Sequence, residues 1–119
     1  IDDADLRPML LRLTLLPAKD PAYTLASIAV AWNPALNEGI VTLRNLPAPP
    51  AGHDYQLWVL DPKAPAPLNA GVINIATASR HFTAGAVSIS GPGFALSLEP
   101  GGGVSAPTGP ILFAVAPQE

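Results

Sequence analysis

The residues that could do chemistry are few, and their spacing argues against most of the chemistry they could do. His53 and His81 are the only histidines, and neither has a histidine or carboxylate at the i+2 or i+4 positions that metal ligand sets use. Asp54 follows His53 directly, but adjacent side chains on a strand point to opposite faces. There is no cysteine, so a thiolate metal site, a thiol nucleophile and a disulfide framework are all excluded. Of nine Asp and Glu, Asp2, Asp3 and Asp5 cluster at the start and the rest fall one to a loop. No pair is therefore spaced to converge as acid and base. Glu99 alone stands at a strand end inside a Gly/Pro motif. Ser90-Gly91-Pro92-Gly93 has its serine in the wrong place for a nucleophile elbow and reads as a turn. Gly101-Gly102-Gly103 looks like part of a phosphate-cradling loop. No Lys-Ser/Thr follows it, however, and Pro107 and Pro110 forbid the helix whose N-terminus would hold the anion. The expectation is a domain with no catalytic residue, no metal and no cofactor, whose work is binding or regulation.

Tyr55 and Trp58 offer flat apolar area with a polar tip, suited to stacking on a sugar or a peptide. Three places apart, they lie on opposite faces of a strand, so at least one belongs to the core. If Trp32, Trp58 or Tyr55 is exposed, the alternative is a carbohydrate- or peptide-binding adhesive β-domain. Nucleic acid is not an expected partner: the formal charge is −3, and Arg7, Arg12, Lys19, Arg44, Lys63 and Arg80 form no basic stripe. Arg12 and the pair Asn33-Pro34 interrupt the apolar runs before the roughly 18 residues a bilayer requires. The chain as given is expected to be soluble. Its start at Ile1, followed by acidic residues, reads as a mature form or an excised fragment.

These residues must be positioned by short elements, because 15 prolines and 10 glycines cut the 119 residues into pieces too short for most helices. Hydrophobic residues at 49% against 13% charged are enough for one core. Alternation places strands at Leu11–Leu15, with a short helix over Arg7–Leu16 as the competing reading, at Thr24–Trp32, and at Gly39–Leu46 as its hairpin partner. Tyr55–Leu60 is large and apolar on both faces, as a central strand would be. Further strands are expected at Gly71–Ile75, more weakly at Arg80–Phe82 and Val87–Ile89, then at Phe94–Glu99 and Ile111–Val115. The predicted fold is all-β: an antiparallel two-sheet sandwich, Ig-like or a partly open barrel, with about seven or eight strands and at most one short helix. Residues 1–119 read as one domain, frayed at 1–5 and 117–119.

Two stretches together resemble the C-terminal domain of the anti-sigma-K factor (RskA-type) family. One is Leu46-Pro47, a Pro/Gly spacer, then Tyr55-Gln56-Leu57-Trp58, with Gly71 after a variable loop. The other is Phe94-Ala95-Leu96-Ser97-Leu98-Glu99-Pro100-Gly101-Gly102 followed by Pro107-Thr108-Gly109-Pro110. Order and spacing cover about Trp32 to Val115. Ser97 stands where the family usually has Thr, and Gly103-Val104 replaces a small polar residue after the two glycines.

The resemblance implies a regulatory or sensor domain on the extracytoplasmic, periplasmic side of a bacterial inner membrane. The full-length protein would be a single-pass anti-sigma factor whose cytoplasmic part binds an extracytoplasmic-function sigma factor. Membrane proteases would be partners in signal transduction by regulated proteolysis. Self-association, or capture of a peptide, by edge-strand pairing is a further expectation. For Tyr55, Gln56, Leu57, Trp58, Gly71, Glu99, Pro100, Gly101, Gly102, Pro107, Thr108 and Gly109 the expected role is architectural. Glu99 is expected to accept hydrogen bonds from loop amides or Thr108.

Overall fold

The computed structural model describes residues 11–17, 23–64, 66–83 and 91–117. The expected strand at Val87–Ile89, the fraying at 1–5 and the first turn of the competing helix lie outside them. The elements are β1 (Leu11–Pro17), β2 (Ser27–Asn33), β3 (Glu38–Arg44), β4 (His53–Leu60), β5 (Leu68–Ile73), β6 (Ser79–Thr83), β7 (Gly93–Pro100) and β8 (Ile111–Val115). Every expected strand among the described residues is present, and residues 11–16 of the competing helix are extended.

All eight strands are antiparallel and form one sheet in the order β5-β4-β7-β8-β1-β2-β3-β6. The sheet curls into a nearly closed, barrel-like shape, so the expected sandwich layers are two halves of one sheet. β1 joins them. Leu11 to Leu15 pair with β2, whereas Leu16 and Pro17 pair with Ala114 and Phe113 of β8. The edge strands β5 and β6 meet across the remaining seam, where the Arg80 guanidinium (Nη1) donates to the Val72 carbonyl. Gly71 leaves room for that reach, since a Cβ there would lie 2.7 Å from Arg80 Nη2, and its φ of 107° lies where few other residues go.

The β2–β3 hairpin shows how local sequence sets register. Asn33 Oδ1 accepts the Ala35 amide at 3.0 Å, and Asn37 takes a positive φ of 54°, which asparagine tolerates better than most residues. The ladder then runs from Asn33↔Glu38 to Ser27↔Arg44, turning Ile28, Val30, Trp32, Val41 and Leu43 inward. They meet Tyr55, Leu57, Val59, Phe94, Leu96 and Phe113 in one contiguous core. Trp32 stacks on Phe82 at 6.0 Å, and both contact Phe94 edge-on. A second aromatic group joins Tyr23 to Tyr55 and Phe113. Each fully buried large apolar side chain contributes about 1.5–3 kcal/mol.

β4 is not central in the sheet: it is one strand in from the β5 edge. Its inward side chains Tyr55, Leu57 and Val59 are core, as are Phe94 and Leu96 of β7. The alternate face of the same two strands carries Gln56, Trp58, Ala95, Ser97 and Glu99, and these too are buried. The segment 101–110, which joins β7 to β8, folds back over this face and is hydrogen-bonded to Gln56 and Glu99. Doubly apolar patterning here reflects a loop folded back over the sheet, not a strand flanked by many others.

Candidate functional site

The most concentrated polar chemistry among the described residues lies under that loop. Antiparallel register places Asp54 opposite Glu99 and Gln56 opposite Ser97, so strand periodicity alone gathers these four side chains on one face with Trp58. The indole N–H of Trp58 donates to Ser97 Oγ at 2.8 Å, and the Ser97 hydroxyl donates onward to Glu99 Oε2. Glu99 Oε1 accepts the Thr108 hydroxyl at 2.7 Å and the amides of Thr108 and Gly109 at 3.0 Å each. Burial alone would push the Glu99 carboxyl up. The hydrogen bonds from Ser97, Thr108 and Gly109 outweigh it and hold the group below the ordinary carboxylate value.

Two other side chains fasten the same loop nearer its start. Gln56 donates to the Val104 carbonyl at 2.8 Å and accepts the Val104 amide at 2.9 Å, while its remaining N–H reaches Asn69 Oδ1 at 2.7 Å. Asp54 Oδ2 accepts the Gly102 amide at 2.9 Å, and the Gly101 amide reaches the Gly52 carbonyl at 2.7 Å. The loop also closes on itself, with the Gly103 amide donating to Pro100 at 3.0 Å. At its far end the Leu98 amide donates to the Pro110 carbonyl at 3.1 Å. Gly109 passes so close to β7 that a Cβ there would overlap the Leu98 carbonyl oxygen.

Of the residues singled out in the sequence, Gln56, Trp58, Glu99, Gly101, Gly102, Thr108 and Gly109 come together here. Pro100 and Pro107 bound the turn. Tyr55 and Leu57 do not join them: they face the core, where Tyr55 donates to the Pro47 carbonyl at 2.7 Å. That bond connects the Leu46-Pro47 and Tyr55–Trp58 halves of the first motif. Burial, and then the Tyr23 hydroxyl at 3.4 Å, raise the Tyr55 phenol well above its usual value. Gly71 lies apart, at the β5 edge beside Arg80. Sequence reasoning did not single out Asp54, Ser97, Asn69 or Arg80. Ser97 was within reach, being two places from Glu99 on one strand face. Asp54 required the register of strands 45 residues apart.

The alternative of a carbohydrate- or peptide-binding β-domain required an exposed aromatic ring, and none of the three it named is exposed. Trp32, Tyr55 and Trp58 are each 0% accessible: the first two lie in the core, and the third is on the outer face of β4, bonded to Ser97. No group of three or more His, Cys, Asp and Glu able to hold a metal occurs among the described residues. His81 Nε2 and Glu38 Oε2 lie 3.2 Å apart on the outer face of β3 and β6. Gln56, Trp58, Ser97 and Glu99 are closed off from solvent, and what the arrangement does chemically is hold a chain segment down.

Residues 9–111 match the family described as the C-terminal part of anti-sigma-K factor rskA. A 78-residue stretch is 35% identical to the anti-sigma-K factor RskA of Mycobacterium ulcerans (strain Agy99), covering 64% of this chain and 32% of that protein. The chain thus spans about a third of the length of the curated relative it matches. No solved structure matches it.

Proposed function

This chain belongs to the family of anti-sigma-K factor C-terminal domains, and from that premise we propose that it is the extracytoplasmic sensor portion of a membrane-anchored anti-sigma factor. In this reading the domain lies on the periplasmic side of a bacterial inner membrane. Its folded state controls whether membrane proteases cut the full-length protein and so release the sigma factor held by a cytoplasmic part. The family match over most of the chain carries the reading. The fold is consistent with it: polar groups are spent on holding the chain closed, and a protease requires an opened segment. A partner that stabilises the folded domain would protect the stretch around Ile1–Leu16, next to where a membrane anchor would join. Self-association or peptide capture by strand addition would have to use the edges of β5 and β6, which Arg80 draws together.

The test is a sigma-dependent reporter in cells carrying the full-length anti-sigma factor. Destabilising the domain with Leu96→Ala should raise reporter output severalfold, with cleavage fragments on an immunoblot. Unchanged output with a domain shown to be unfolded would sink the reading. Protease added to spheroplasts should degrade the domain if it is outside, and leave it intact if it is not. The adhesive alternative has lost its exposed aromatic residues and no other observation favours it.

A further inference from the structure

We propose that Glu99 is an acid-sensitive latch: its protonation frees residues 101–110 from the sheet while β4 and β7 stay paired. The inference concerns the fold itself and does not rest on the regulatory reading.

The geometry is one-sided. Four donors converge on Glu99: the Ser97 hydroxyl, the Thr108 hydroxyl, and the amides of Thr108 and Gly109. An ionised carboxylate accepts from all of them. A protonated one must place its own hydrogen among these donors. Ser97 offers no way out: beside the lone pair that accepts the Trp58 N–H it has a second, but a hydrogen taken from Glu99 would leave the serine hydroxyl proton without a partner. A buried donor left unpaired is costly. The Thr108 hydroxyl is exposed and can turn to accept that hydrogen. Glu99 Oε1 is then a hydroxyl oxygen, however, a weaker acceptor for the Thr108 and Gly109 amides, and opening the loop lets water solvate them together.

No other ionisable group stands ready to compensate. Asp54, directly across on β4, is the charged neighbour, and its like charge already fastens the Gly102 end of the same loop. His53, next along β4, lies on the alternate face with its ring nitrogen Nδ1 on the Ala51 carbonyl at 3.1 Å. Segment 101–110, β5 and β8 contain no titratable side chain. Among the described residues neither carboxylate is paired with a Lys, Arg or His. The lowered position of the Glu99 titration agrees with this arrangement. Its sign is fixed: the closed loop is favoured above the value of a solvated glutamate, about 4.3, and that preference is lost as pH falls toward the depressed value of the closed state.

The experiment is amide hydrogen exchange by NMR on the chain, as protection factors from pH 7 to pH 3. Thr108 and Gly109 should lose protection about tenfold per pH unit below about 4.3, with Leu57 and Leu96 losing much less. Asp54→Asn should keep that titration, and Glu99→Gln should abolish it, with Thr108 and Gly109 weakly protected at every pH. Parallel loss of loop and strand protection in the unmodified chain would overturn the latch, as would a pH-independent loop. Should Glu99→Gln not fold, the titration of the unmodified chain decides alone.

Discussion

At the residue scale, Glu99 and Gly109 are two halves of one contact, and their substitution should fail in different ways. Gly109→Ala sets a side chain against the Leu98 carbonyl oxygen, so the loop end must move off β7 and the Leu98–Pro110 hydrogen bond must break. A loss of about 1–3 kcal/mol is expected in urea unfolding. Tyr55→Phe removes the hydroxyl's bonds to the Pro47 carbonyl and the Tyr23 hydroxyl and leaves the ring packing with Tyr23, a loss of about 1 kcal/mol by the same measurement. The first motif was legible as a strand with its apolar pattern, but the purpose of its tyrosine hydroxyl was not. The acceptor is a backbone carbonyl, and backbone groups carry no sequence signature.

At the element scale, the strands were readable because Ile28, Val30 and Trp32, or Phe94 and Leu96, alternate with smaller residues at the period of two that a half-buried strand imposes. Position within the sheet was not. Tyr55–Leu60 is buried on both sides because segment 101–110 lies over one of them, and that cover depends on Asp54 and Gln56 meeting residues 48 positions away. The seam between β5 and β6 was equally invisible, being held by Arg80, which the sequence presents as one more scattered cation. Arg80→Ala should therefore do more than a surface charge change usually does. Exchange protection should fall in β6 and in the Val72 region of β5, with β4 and β7 unaffected, and equal effects on all four strands would refute the local role.

At the scale of the whole molecule, Leu96→Ala in the common core should cost about 2–5 kcal/mol by denaturant unfolding. Stability should also fall at both ends of the pH range. The acid loss comes from Glu99, whose depressed titration stabilises the folded state only above the unfolded value. The alkaline loss comes from Tyr55, whose raised titration stabilises it fully below the unfolded value of about 10 and progressively less above it. Thermal melting from pH 3 to pH 11 should trace a dome, and Tyr55→Phe should flatten its alkaline shoulder. Finally, β1 belongs to both halves of the sheet, and it is the first described strand of the chain. Mechanical tension applied ahead of Leu11 would load that strand before any other, peeling it from β2 and then from β8. Once it detaches, no backbone ladder between described strands spans the two leaves, and what still joins them is the shared core and the Arg80–Val72 bond across the seam.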